Sequence, residues 1–368
     1  MKLGLIINPI AGMGGSVGLK GTDGEEILNK AISLGAKPKS DGRAREALKE
    51  LEELKDKLEI VTYPNKMGET VAKELGFNTK VIGKITDHTG PEDTKKAACL
   101  LRDEAVDLVL FVGGDGTARN IAEAIELEIP TLGIPSGVKM HSAVFSQTPK
   151  KAGELAKLFL TGEINSLRDQ EVMDIDEDAF RSGELKARLY GYLHVPFEEK
   201  LLQGSKSTLP QTGGNFLDLA EFVVENMDDE YVYIIGSGTT LKYIMDEMGL
   251  NNTLLGIDIV HKKELIKNDA TERDILEAIN GKKAKIIITI IGGQGYIFGR
   301  GNQQLSPEVL RRVGKENIMI VAGRDKLEGL NGRPMLIDTG NPDLDKVFGG
   351  YYKVITGYGN FMVYPAEG

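Results

Sequence analysis

The string Gly113-Gly114-Asp115-Gly116-Thr117 sets a carboxylate among glycines. An apolar run from Leu108 to Val112 precedes it, and a helical pattern from Ala118 to Ile125 follows, so the acid falls at a strand end and a helix start. Glycine permits positive φ and lets a ligand approach the main chain, and the first N–H groups of a helix suit a phosphate. A carboxylate in that position repels phosphate unless it binds an accompanying magnesium ion or accepts a proton from an attacking hydroxyl. Asp115 therefore points to phosphoryl transfer rather than to phosphate binding alone. The competing reading is a tight turn with Asp115 as the helix cap. The apolar strand ahead of the string favours the chemical reading.

Other strings carry related chemistry. Asn8-Pro9 closes a strand-like run, Leu3 to Asn8, and opens a loop containing Gly12, Gly14, Gly15, Gly18, Gly21 and Gly24. Its spacing is neither that of a P-loop nor that of a dinucleotide fingerprint. It reads as flexible backbone able to wrap phosphates, or as a surface loop, with Lys20, Thr22 and Asp23 either closing on phosphate or solvating the loop. After a strand at Thr131 to Ile134, Ser136 and Gly137 turn into a predicted helix, Val138 to Phe145, whose first turns hold Lys139 and His141. His141 reads equally as a ligand or as a hydrogen-bonded structural residue. Gly236-Ser237-Gly238-Thr239-Thr240 follows the apolar run Tyr231 to Ile235 and leads into a helix ending at Met248. Glycines and hydroxyls at a helix N-terminus suit phosphate, and an N-capped helix is the alternative. Gly292 to Gln304 holds five glycines, Gly293 and Gly295 among them, together with Arg300 and Asn302. Arginine can grip phosphate or carboxylate bidentately and amides can read a base or ribose; an Ω-loop is the alternative.

These residues need positioning elements. Strands at Leu58 to Tyr63, Thr79 to Gly83 and Asp107 to Val112 alternate with helices at Gly42 to Lys57, Met67 to Leu75 and Pro91 to Glu104. Such alternation implies a parallel sheet with ligands at the carboxyl ends of its strands, where Asn8 and Asp115 both lie. A helix at Pro149 to Thr161 closes a first domain, 1–165, and the second, 166–368, opens with strands at Gln170 to Ile175 and Ala187 to Val195. Glu171, Asp174 and Asp176 alternate with apolar residues, as on an exposed strand face, an acidic metal patch being the second reading. Lys200 to Gly214 is a lid or a loop. Strands at Thr253 to Ile257, Ala284 to Ile291, Ile318 to Val321 and Pro334 to Ile337, with helices at Thr271 to Asn280 and Pro307 to Val313, make a mixed α/β second domain. The terminal run Tyr351 to Tyr364 is expected to complete a sheet of either domain, including the first.

The 368 residues, 41% hydrophobic, suffice for two cores, and a net charge of -10 argues against nucleic-acid or anionic-membrane partners. The single cysteine, Cys99, excludes an internal disulfide and a cysteine metal cage. No apolar run reaches the roughly 18 residues of a membrane span, and Met1 to Asn8 lacks signal-peptide features, so a cytoplasmic protein with small-molecule partners is expected.

Gly113 to Thr117 resembles the signature of the superfamily of NAD kinases, diacylglycerol and sphingosine kinases and phosphofructokinases. With Gly133 to Ser142 and Gly292 to Gln304, most of the chain is similar to the divergent archaeal and bacterial ATP-NAD kinases. The resemblance implies an NAD-kinase-like parallel-sheet N-terminal domain, a second mixed domain and an active site in the cleft between them. It implies a cytoplasmic kinase using ATP (or polyphosphate) and Mg²⁺, with the adenosine ribose 2'-OH of NAD as acceptor, and a homo-oligomer. Asn8, Gly12, Gly14, Ser136, Gly137 and Lys139 would then lie beside the nucleotide, with Asp115 catalytic, and Gly236 to Thr240 resembles a Thr-Gly-Ser-Thr loop of NAD kinases as well as a sugar-phosphate loop of ribose-phosphate isomerases. Ordinary NAD kinases also carry an Asn-Glu pair, of which no clear copy occurs here. A kinase of another small alcohol or lipid, a non-catalytic nucleotide- or sugar-phosphate-binding protein, and a sugar-phosphate isomerase suggested by Gly236 to Thr240 stay open beside the NAD kinase reading.

Overall fold

The computed structural model describes residues 1–19, 25–85, 89–138, 140–175, 187–198, 201–202, 216–253, 255–291 and 294–368. Lys20, Thr22, Asp23, Lys139, Asp176, Gly292, Gly293 and nearly all of the Lys200 to Gly214 stretch lie outside the described residues. Two units divide the chain.

The first unit comprises Met1–Met13, Gly21–Ile32 and Lys37–Lys206. Its elements are β1 (Lys2–Ile7), α1 (Glu25–Ser33), α2 (Ser40–Lys49), β2 (Glu59–Thr62), α3 (Glu69–Glu74), β3 (Asn78–Val81), α4 (Pro91–Asp103), β4 (Leu108–Gly113), α5 (Asp115–Ile125), β5 (Thr131–Pro135), α6 (Pro149–Leu160), β6 (Leu167–Ile175) and β7 (Ala187–Pro196). Five strands form a parallel sheet in the order β3-β2-β1-β4-β5. A parallel strand covered on both faces needs an unbroken apolar run, and Leu108 to Val112 is such a run, fully buried. From β1 the chain moves outward to β2 and β3, and from β4 it moves the other way to β5. The carboxyl ends of β1 and β4 thus flank the topological switch point, and Asn8 and Gly114 follow those two ends.

Two sequence expectations change here. Among the described residues of Val138 to Phe145 the predicted helix does not form. Gly133 in β5 pairs instead with Phe145, and a Cβ at Gly133 would lie 2.3 Å from the Phe145 ring. That ring meets Phe111 edge-on at 5.4 Å, so burial of two aromatics holds the returning segment extended. The pattern over Gly42 to Lys57 splits into α2 and a 3₁₀ turn, Glu52–Leu54. The antiparallel pair β6–β7 packs against α5 and β5 within this unit.

The second unit comprises Gly14–Lys20, Ser33–Ala36 and Ser207–Gly368. It contains α7 (Phe216–Glu225), β8 (Tyr231–Ile235), α8 (Thr239–Glu247), β9 (Asp258–His261), β10 (Glu264–Lys267), α9 (Glu272–Ala278), β11 (Lys283–Thr289), β12 (Tyr296–Phe298), α10 (Pro307–Val313), β13 (Ile318–Val321), α11 (Arg324–Glu328), β14 (Met335–Ile337), α12 (Pro342–Phe348), β15 (Gly350–Gly357) and β16 (Asn360–Glu367). The nine strands run β10-β9-β8-β11-β13-β15-β16-β14-β12, with β8, β11, β13 and β15 mutually parallel. Alternation along β11 sends Ile286 and Ile288 into one apolar cluster and Ile287 into another, so both faces of this sheet are covered. The strand predicted at Thr253 to Ile257 is displaced to Asp258–His261. The buried Asp258 carboxylate accepts the Thr253 N–H at 2.7 Å and the Asn252 amide at 3.2 Å, and so holds Asn252 and Thr253 outside the strand. The terminal run becomes a hairpin whose last strand, β16, pairs with β15 and β14 within this sheet rather than the first unit's. Among the described residues, no helix is long and apolar enough to cross a membrane.

Candidate functional site

In the first unit the strand ends converge through main chain. Gly12 has a φ of 72°, and a Cβ there would lie 1.8 Å from the Ser136 carbonyl oxygen. A Cβ on Gly137 would lie 2.8 Å from the Gly114 Cα, and one on Gly113 would lie 2.4 Å from the Thr117 Cβ. Each of these glycines is required by close approach, not by flexibility alone. The Ser136 and Gly137 N–H groups both donate to the Gly113 carbonyl, at 2.9 and 3.1 Å. The Asn8 side chain donates to the Thr117 hydroxyl at 2.9 Å and accepts the Ile10 N–H at 3.2 Å, so one amide fixes the Asn-Pro turn and ties it to α5. Buried Ser40 and Ser136 hydroxyls both reach the Ala11 carbonyl at 3.3 Å.

Asp115 is the first residue of α5, and Gly114 occupies the cap position. The acid is therefore not the cap of its own helix. Its buried carboxylate faces the segment after β5: Oδ2 accepts the His141 N–H at 2.6 Å, and Oδ1 accepts the Ser142 N–H at 3.0 Å and its hydroxyl at 2.6 Å. The His141 ring Nδ1 lies 3.4 Å from Oδ2. The Ser142 hydroxyl also lies 2.8 Å from the Met173 carbonyl oxygen, a second acceptor for its single proton. His141 is thus held by Asp115, the first residue of α5, rather than by a helix of its own segment. Sequence reading passed over Ser142, whose type carries no signal beyond following His141.

These turns bring together Asn8, Gly12, Gly113, Gly114, Asp115, Gly116, Thr117, Ser136 and Gly137. They present main chain and small side chains at three strand ends, a surface that a chain of phosphates can approach closely. Asp174 pairs with Arg119 at 3.0 Å, and among the described residues no group of three His, Cys, Asp or Glu side chains could hold a metal.

Gly14, Gly236 to Thr240, Gly295, Arg300 and Asn302 fall in the second unit. The Gly14 carbonyl accepts the Leu19 N–H at 2.9 Å, and a Cβ on neighbouring Gly15 would lie 1.7 Å from the Gln303 side chain. Asn302 folds its own loop, accepting the Gly299 N–H and donating to the Ile297 carbonyl, both at 2.9 Å. Buried Arg300 lies over the Tyr296 ring at 4.7 Å. Gly295, with a φ of 82°, turns the chain between Ile291 and Leu336, bonded to both through its main chain. Ser237 donates to the Gly301 carbonyl at 3.2 Å, which links the two glycine strings. Thr240 accepts from the Lys326 ammonium at 2.9 Å. Lys326 and Thr289 went unnoticed in the sequence, where they stand outside any glycine-rich string.

The family model described as ATP-NAD kinase N-terminal domain matches residues 3–164, and that described as ATP-NAD kinase C-terminal domain matches residues 228–366. One solved structure, provisionally described as a diacylglycerol kinase from Bacillus anthracis str. Sterne, is similar at 17% identity with a TM-score of 0.27, covering 48% of this chain and 45% of that one. No curated protein matches the chain.

Proposed function

This chain belongs to the ATP-NAD kinase family, and from that premise we propose that it transfers a phosphoryl group from ATP, or from polyphosphate, to the adenosine ribose 2'-hydroxyl of NAD. The carrying observation is the Asp115 carboxylate, fixed beside the glycine-only approach of the 12, 113–114 and 136–137 turns. The donor's phosphates lie along those turns, and Asp115 orients the acceptor hydroxyl and takes its proton late in a loose transition state. Ser142 makes this feasible. When its hydroxyl turns from Asp115 to the Met173 carbonyl, one lone pair of Oδ1 opens for the acceptor, while the His141 and Ser142 N–H groups keep the carboxylate aimed. Magnesium, when bound, neutralises phosphate charge. Among the described residues no cluster of three ligating side chains offers a protein cage, so the ion would be carried by the donor's phosphates and water.

The test is NADP formation from NAD with ATP or polyphosphate and Mg²⁺, comparing wild type with Asp115→Asn. The expected result is NADP from the wild type and a kcat at least about 100-fold lower in the variant, with its fold verified by circular dichroism. No NADP with either donor would remove NAD as the acceptor.

A further inference from the structure

We propose that the second unit carries a phosphate subsite of its own, built from Lys326, Thr240, Thr289 and the turn at Gly238, which takes a phosphorylated small molecule. This goes beyond the kinase reading and does not rest on it. The three side chains come from the carboxyl ends of three adjacent parallel strands: Thr240 follows β8, Thr289 ends β11, and Lys326 follows β13. From β8 the chain passes to antiparallel β9 on one side, and from β11 to β12 and then β13, both on the other side. The crevice between β8 and β11 is thus a topological switch point, where open α/β sheets bind ligands.

The chemistry of the cluster selects the ligand. The Lys326 Nζ donates to the Thr240 hydroxyl at 2.9 Å and lies 3.4 Å from that of Thr289. Both hydroxyls are buried, and Lys326 itself is half-buried. Each threonine oxygen accepts from the ammonium, so each hydroxyl proton points elsewhere and is available to an anion. Among the described residues the ammonium makes no ion pair; its partners are neutral hydroxyls. Burial pushes the Lys326 pKa below the ordinary lysine range, and neighbouring Asp325 opposes this only in part. A desolvated cation beside neutral oxygens is a cost that a bound anion offsets. Gly238, with a φ of 123°, turns the chain there into α8, and a Cβ on it would lie 3.2 Å from the Thr289 methyl. Three converging donors beside a helix start match a tetrahedral anion with several oxygens better than a planar carboxylate.

The experiment uses the full chain and reads Lys326 itself. Limited acetylation with acetic anhydride, followed by mass spectrometry of the peptide containing Lys326, is run with and without inorganic pyrophosphate, ADP or ribose 5-phosphate. At least tenfold slower labelling with pyrophosphate is expected. In parallel calorimetry, Lys326→Met and Thr289→Val are expected to lower the stoichiometry or affinity for pyrophosphate, while Lys326→Arg retains part of it. Protection by ADP alone assigns the subsite to a nucleotide phosphate, and protection by ribose 5-phosphate assigns it to a sugar phosphate. Unchanged labelling with all three compounds would overturn the proposal. Absence of NADP formation with protection intact would remove NAD as the acceptor and leave this proposal standing.

Discussion

At the scale of single residues, Asp115 has two duties that substitutions can separate. Its carboxylate is surrounded by donors, so Asp115→Asn sets an NH₂ group against main-chain N–H groups as well as removing the charge. We expect a stability loss of roughly 2–3 kcal/mol by urea denaturation, alongside the catalytic loss. Ser142→Ala removes the competing hydroxyl and leaves the acid in place. It should lower stability by about 1–3 kcal/mol, because the Met173 N–H and carbonyl both lose the hydroxyl as partner, while reducing kcat less than tenfold. A large fall in kcat with unchanged stability would contradict this division of labour. Gly12→Ala places a methyl against the Ser136 carbonyl at a positive φ and is expected to cost several kcal/mol, read as a lower urea midpoint. Lys326 supplies a pH dependence. Its pKa is depressed by burial, and a bound anion raises it, so binding takes up a proton above the depressed value and anion affinity falls as pH rises toward the ordinary lysine range. Calorimetry across alkaline pH checks the sign.

Elements reveal where local signals suffice. α9 begins with a capping box: the Thr271 hydroxyl accepts the Asp274 N–H at 3.2 Å, and the Asp274 carboxylate accepts the Thr271 N–H at 2.9 Å. Thr271→Ala should cost about 1 kcal/mol. Burial raises the Asp274 pKa, but hydrogen bonds from Thr271 outweigh it and hold the carboxyl below its ordinary value. The folded-state pKa is lowered, so this stabilisation is full above the ordinary carboxylate range and fades as pH falls through the lowered value. An acid titration of the melting temperature should show a shallower fall in Thr271→Ala than in wild type. This helix was legible because its cap and periodicity agree. The segment after β5 was not: Val138 to Phe145 has an acceptable helical pattern, yet Asp115, Glu171 and Gly133 take its main-chain groups from outside the segment. Tertiary hydrogen bonds overrode local preference there.

At the scale of the whole molecule, the acidic balance and the glycine-rich sites make different demands. A net charge of -10 repels anionic bilayers. If the acceptor is a soluble dinucleotide, the protein should not co-sediment with phosphatidylserine vesicles at 0.15 M salt, and NADP formation should be insensitive to them. Binding to such vesicles would favour a lipid acceptor. The two units also divide the glycine strings. Gly12, Gly114 and Gly137 meet through the first unit's main chain, whereas Gly14, Gly236 to Thr240 and Gly295 to Asn302 belong to the second.

The sequence by itself determined the α/β class, the parallel sheet of the first unit and the turns following β1, β4 and β5. Apolar runs ending in the turn formers Asn8-Pro9, Gly113-Gly114 and Pro135-Ser136-Gly137 fix a buried strand and its carboxyl end without reference to distant residues. It also determined the family, through strings spread over most of the chain. Only the tertiary structure decided which polar groups meet. The pairing of Asp115 with His141 and Ser142, the inward use of Asn302, the place of the β6–β7 hairpin and the meeting of Lys326 with Thr240 and Thr289 each join residues with no shared periodicity. Those partners are selected by strand order and by the need to satisfy buried polar groups, and neither is written in a local pattern.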